Sequence, residues 1–142
     1  MGTEVERVEQ AVDELFTAFR RKRGREQSAG DLSGTQLRAL DGLADVGQAT
    51  ARQLADFADV TPATMTGMLD VLEHRGVIRR ERSSTDRRAT QITLTDQGRQ
   101  VVAEARRRWR NRWQQAMSDV PPEDLRATAR VLGKVAGIFD EM

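Results

Sequence analysis

Apolar residues recur at steps of three and four over most of this chain, and near its middle the step changes to two. Val5, Val8, Val12, Leu15, Phe16 and Phe19 form the first run with charges between them, which predicts an amphipathic helix from about Thr3 to Arg23. Gly24 to Gly30 is a polar break. Ser33-Gly34-Thr35-Gln36 then has the form of a capping box, in which the serine oxygen accepts from the third helical amide and the glutamine reaches back. Leu37, Leu40, Leu43 and Ala44 carry that second helix to about Gly47. Thr50 is placed to cap a third helix holding Leu54, Ala55 and Ala58, and Asp59-Val60 makes a tight link to Thr61. Many such turns carry glycine where this chain has Asp59, and aspartate tolerates the left-handed conformation better than most residues. The spacing is that of a helix-turn-helix.

Thr61 is positioned as N-cap of a fourth helix and Pro62 as its first residue, where a missing amide hydrogen costs nothing. Met65, Met68, Leu69 and Leu72 share one side, while Ala63, Thr64, Thr66, Gly67 and Asp70 fall mostly elsewhere and leave an outer face that is small and polar. Short groups let a helix sink into the major groove of duplex DNA, roughly 12 Å wide, although small residues also occur on any exposed helix. Gly76 stops the helix, Val77-Ile78 begins a strand, and Thr90, Ile92 and Leu94 alternate as the returning strand. In the connection, Arg79 to Arg88, five arginines (79, 80, 82, 87 and 88) stand against Glu81 and Asp86, and five minus two leaves three excess positive charges. A solvated loop with local ion pairs is the plain alternative. Beside the preceding helix, the cluster instead suits phosphates and the negative potential of a narrow minor groove. The candidate DNA contacts are Thr61, Pro62, Ala63, Thr64, Thr66 and Gly67, then Arg75, and Arg82, Asp86, Arg87 and Arg88 on the wing.

Thr95 can cap a long helix in which Val101, Ala105, Trp109, Trp113 and Met117 repeat every four positions. Arg106, Arg107, Arg108, Arg110 and Arg112 surround that ridge and are read as a solvated face in preference to DNA contact. The run Arg20 to Arg23 is read likewise as a solvated helix end that suits the helix dipole. After Pro121-Pro122, Leu125, Ala129, Leu132, Ala136 and Phe139 give a last amphipathic helix. The terminal helices cannot all bury their stripes on a small winged domain, so a twofold-related copy is their natural recipient. The expected architecture is mostly α with a small β wing: an N-terminal dimerisation helix over 1–30, a winged helix-turn-helix DNA-binding domain over 31–95, and C-terminal dimerisation helices over 96–142.

Composition matters chiefly for what it removes. With Lys+Arg 23 against Asp+Glu 22, the formal net charge of +1 gives no general attraction to polyanions, so any nucleic-acid signal lies in how charge is distributed. Only Lys22 and Lys134 are lysines; arginine forms the bidentate contacts that an ammonium does not, and codon bias explains the total equally well. Absence of cysteine excludes disulfides and thiolate metal sites, and the single histidine, His74, excludes multi-histidine sites. No glycine-rich phosphate loop follows a strand pattern. These absences argue for a protein that is not an enzyme and has no cofactor or metal. The first 23 residues lack a continuous apolar core, so neither a signal peptide nor a membrane anchor is expected, and a cytoplasmic location fits.

Asp86-Arg87-Arg88, followed by Ile92-Thr93-Leu94-Thr95 and Gly98, resembles the wing signature of the MarR family of bacterial regulators. Leu54-Ala55, Thr61-Pro62, Leu69, Leu72 and Gly76-Val77 sit where that family places its helix-turn-helix, and the resemblance covers nearly the whole chain in length and helix order. It implies a winged-helix homodimer that represses, or less often activates, transcription from a palindromic operator. It further implies Arg88 as the minor-groove arginine, Asp86 as its orienting partner and Thr61 to Thr66 as the groove-facing start of the recognition helix. The family often binds small aromatic or phenolic effectors between the dimer helices and the winged domain. Phe16, Phe19, Trp109 and Trp113 are candidate lining residues for such a pocket, with simple core as the plainer role, and no residue identifies a ligand. A different class also remains: a winged helix that pairs with an acidic protein through its wing, without specific DNA binding.

Overall fold

Among the described residues, five of the six helices begin where a hydroxyl serves the first amides, and the last begins after a proline instead. The computed structural model describes residues 2–25, 32–82 and 90–142. Its elements run α1 (Glu4–Arg25), α2 (Gly34–Val46), β1 (Gln48–Ala49), α3 (Ala51–Ala58), α4 (Pro62–His74), β2 (Ile78–Arg82), β3 (Thr90–Leu94), α5 (Asp96–Ala116) and α6 (Pro122–Asp140). Thr3, Ser33 and Thr50 each accept an amide hydrogen three residues on, and Glu6, Gln36 and Gln53 return the bond to the capping amide. Thr61 accepts from the Thr64 amide at 3.2 Å. Asp59 adopts the left-handed conformation expected of it, with φ 55 and ψ 52, and so turns the chain between α3 and α4. The first helix ends at Arg25, two residues past the expected end, within the usual fraying of helix ends.

The chain divides into two compact units, Met1–Ala103 and Glu104–Met142. In the first, α2, α3 and α4 close on a core in which Leu40, Leu43, Leu54, Met65, Leu72 and Ile92 are fully buried. Each such side chain contributes roughly 1.5–3 kcal/mol through burial, so together they decide how α4 is held. The sheet has strand order β1-β3-β2, antiparallel throughout. Its first strand was not anticipated: two residues are too few to show a period, yet Ala49 pairs with Ile92 and is buried. A second correction concerns the wing. Arg79, Arg80 and Arg82 lie in β2, paired with Thr93, Ile92 and Thr90, and are not part of the connection. The ladder simply extends further than its apolar residues do.

The second unit contains the C-terminal part of α5 and all of α6, where Pro122 occupies the first turn. Leu125, Val131, Leu132, Ile138 and Phe139 of α6 are exposed, and so are Val5, Val8, Leu15, Phe16 and Phe19 of α1 in the first unit. Among the described residues, no helix is long and apolar enough to cross a membrane.

Thr95 fixes the base of the wing. Its hydroxyl donates to the Gly76 carbonyl at 2.6 Å and accepts from the Gly98 amide at 3.1 Å, while its own amide donates to the Val77 carbonyl at 3.2 Å. This arrangement draws the first turn of α5 against the strand entry so closely that a β-carbon on Gly98 would overlap the Val77 carbonyl oxygen. Gly98→Ala is therefore expected to destabilise the fold by about 3 kcal/mol, as overpacking does. Urea unfolding of the two proteins measures the difference, and an equal midpoint contradicts the close approach.

Candidate nucleic-acid interface

The sequence of α4 divides the helix lengthwise. Met65, Leu69 and Leu72 are buried, whereas Thr61, Pro62, Ala63, Thr64, Thr66 and Gly67 are exposed. These six candidates come together on the cap and first turns of one helix. Hydrogen bonding within that helix already occupies part of their polar capacity: Thr61 and Thr64 share a hydroxyl–hydroxyl bond of 2.9 Å, and the Thr66 hydroxyl donates to the Pro62 carbonyl at 3.0 Å. With its hydrogen so engaged, Thr66 offers an outside partner its methyl group and oxygen lone pairs. Gly67 has open space where a β-carbon would sit. Nothing inside the chain requires glycine there, and the helix backbone is bare on its outer side.

The remaining candidates are dispersed. Arg75 is the C-cap of α4, and thirteen residues at 1.5 Å each put it roughly 20 Å along the axis from Pro62. Arg82 is exposed at the last pair of the ladder, opposite Thr90. Asp86, Arg87 and Arg88 lie outside the described residues.

Arg80 behaves differently from the arginines around it. Strand alternation from Ile78 puts it on the core-facing side of β2, and its guanidinium reaches α4. Nε donates to Glu73 Oε2 at 3.0 Å, and Nη2 donates to Glu73 Oε1 at 3.1 Å and to Asp70 Oδ1 at 2.7 Å. On the opposite face of the strand, Arg79 approaches Glu81 at 3.8 Å. Part of the charge excess counted for the wing is thus balanced locally. The side-chain bond from Arg80, and then its charge, hold the Glu73 carboxyl below the usual carboxylate range, while the two carboxylates keep Arg80 protonated well beyond any physiological pH. Counting Arg80 simply as part of the wing's cationic excess missed this; following the alternation two residues past Ile78 would have revealed it.

In the second unit, Trp109 and Trp113 pack edge to face, with centroids 6.0 Å apart and planes at 71°. With Arg110 and Gln114 they line a shallow surface concavity of about 340 Å³. Phe16, Phe19, Trp109 and Trp113 are each 40–50% exposed, so the plainer role of simple core does not hold within a single chain.

Comparison with known proteins fits this arrangement of helices and wing. Residues 32–90, from the entry to α2 as far as the start of β3, match the pattern that defines the MarR family. That segment is a MarR-type domain. Transcriptional regulator HosA of Escherichia coli is 35% identical to it over 75 residues, which cover 53% of this chain and 56% of HosA. The chain therefore spans just over half the length of that relative. The crystal structure of Streptococcus pneumoniae FabT in complex with DNA shares the MarR-type fold at a TM-score of 0.77, with 21% identity over 97% of this chain and 99% of FabT. The transcriptional regulator BldR from Sulfolobus solfataricus is 27% identical, with a TM-score of 0.66 over 94% of this chain and 99% of BldR. The wing motif Asp86-Arg87-Arg88 falls inside the family match; the neighbouring Ile92 to Gly98 lie just beyond it.

Two outcomes follow from this geometry. Gly67→Ala should stabilise the isolated protein by about 1 kcal/mol, because an exposed helical glycine is replaced at no steric cost, and should weaken binding to any duplex that approaches this face; thermal melting and a binding titration read the opposite signs. The contribution of Glu73 to stability is complete above the ordinary carboxylate range and disappears as pH falls through its lowered value. Melting temperatures of the parent and Glu73→Gln should accordingly differ at neutral pH and converge in acid.

Proposed function

We propose that this chain is a sequence-specific double-stranded DNA-binding regulator of transcription, acting in the cytoplasm as a homodimer on a palindromic operator, where it serves as a repressor. The single observation that carries this reading is α4: an apolar side gripped by the core, a small polar outer face at its capped N-terminus, and a strand of arginines leading away beside it. A helix so presented fits the major groove, and a cationic wing beside it suits the flanking phosphates and minor groove. The FabT complex with DNA supports the same use of the fold.

Pairing follows from surplus apolar surface. The exposed stripes of α1 and α6 are too extensive for a chain that stays alone in water, and a second copy covers them with an identical, self-complementary set. Residues 1–30 and 96–142 then serve dimerisation and 31–95 serve DNA. A twofold axis sets the two reading helices about one helical turn apart, roughly 34 Å. An effector that favours a dimer with the wrong separation lowers operator affinity by its differential binding to the two states.

Arg88→Ala should cost on the order of 1–3 kcal/mol of operator binding and flatten its dependence on salt. Sedimentation should give about twice the chain mass of 15.9 kDa for the parent and the variant alike. Undiminished affinity removes Arg88 from the interface, and a monomeric parent overturns the dimer.

A further inference from the structure

By sequence Arg80 is one of the wing's cationic residues, yet its head group is directed into the protein. Three hydrogen bonds join it to two carboxylates of α4, with Nη2 serving Asp70 and Glu73 at once. Its side chain is 28% exposed, against 64% for its neighbour Arg79. A planar guanidinium that grips one carboxylate with two nitrogens of one edge fixes the angle between the two groups, and the bond to a second carboxylate removes the remaining freedom about that axis. The two acids lie at i and i+3 on one flank of α4, with Thr66 one turn earlier on the same flank. Acidic residues there would repel phosphates, and Arg80 cancels one of their two charges.

We propose that Arg80 is a positioning residue for DNA recognition: through Glu73 and Asp70 it fixes the angle between the recognition helix and the wing, so that both enter neighbouring grooves together, and it makes no phosphate contact of its own. This role rests on the DNA-binding reading above. It explains why two carboxylates occur on a helix meant for a polyanion. It also predicts a sign that charge counting does not. Removing an acid from a DNA-facing flank ordinarily strengthens binding, because repulsion falls and the freed arginine is released to a phosphate. If Glu73 anchors the strut, Glu73→Gln must instead weaken binding.

The test uses the full chain and a duplex selected by the parent from random sequence. Arg80→Ala, Arg80→Lys, Glu73→Gln and the Arg80→Ala/Glu73→Gln double variant are titrated against it over a range of salt concentrations, with thermal melting and sedimentation to verify fold and dimer. Each single change should lower affinity on the order of 10-fold, and the double no further than the weaker single, since contacting residues act as one unit. The slope of log affinity against log salt should match the parent throughout. Arg80→Lys keeps the charge but loses the fork, so it should behave like Arg80→Ala; a phosphate contact would survive that exchange. Glu73→Gln binding as tightly as the parent or tighter, or a flattened salt slope for Arg80→Ala, overturns the positioning role while leaving DNA binding intact. A parent that selects no duplex overturns the reading of the previous subsection and this role with it.

Discussion

One helix has to be held firmly on one side and left bare on the other. Met65, Leu69 and Leu72 hold α4 in the core, and its opposite side carries exposed Ala63 and Gly67, the latter with open space where a β-carbon would sit. The grip continues past the helix end, because Thr95 bonds the Gly76 carbonyl and its amide reaches Val77, so the wing starts from a fixed point relative to α4. Close approach at Gly98 completes that junction. A reading surface made this way needs little rearrangement when it meets a partner, which keeps the ordering cost of association low.

Charge works at the same short range. Near-neutrality of the whole chain means that its field at a distance is weak, and screening over about 8 Å at physiological salt leaves local arrangement in control. Within the wing strand, the two faces are used differently: Arg80 turns to the carboxylates of α4, while Arg79 and Glu81 face away from the core. Arginine count alone therefore overstates the cation available to a phosphate backbone.

How much of this could be read from the sequence depended on how local the cause was. Ser33, Thr50 and Thr61 cap their helices with side chains three residues from their partners, and Asp59 turns by its own backbone preference, so these features were legible. Strand β1 was not, since Gln48 and Ala49 acquire their identity only from pairing with Thr93 and Ile92, over forty residues away. Arg80 lay between: alternation from Ile78 pointed it inward, but the acids that hold it are on another element. The aromatic residues of α1 and α5 stand out in the sequence, whereas their exposure of 40–50% follows from how few neighbours a lone chain supplies. Resemblance to the MarR family was legible in Asp86-Arg87-Arg88 and the helix-turn-helix pattern, and the family match over 32–90 bears it out.

Protection mapping along both strands of a selected duplex tests the central claim most directly. Two symmetry-related copies that each lay α4 in a major groove predict a twofold pattern: major-groove protection in two patches one helical turn apart, each with minor-groove protection on its outer side. A single one-sided patch, or protection spread evenly without regard to sequence, would contradict the account.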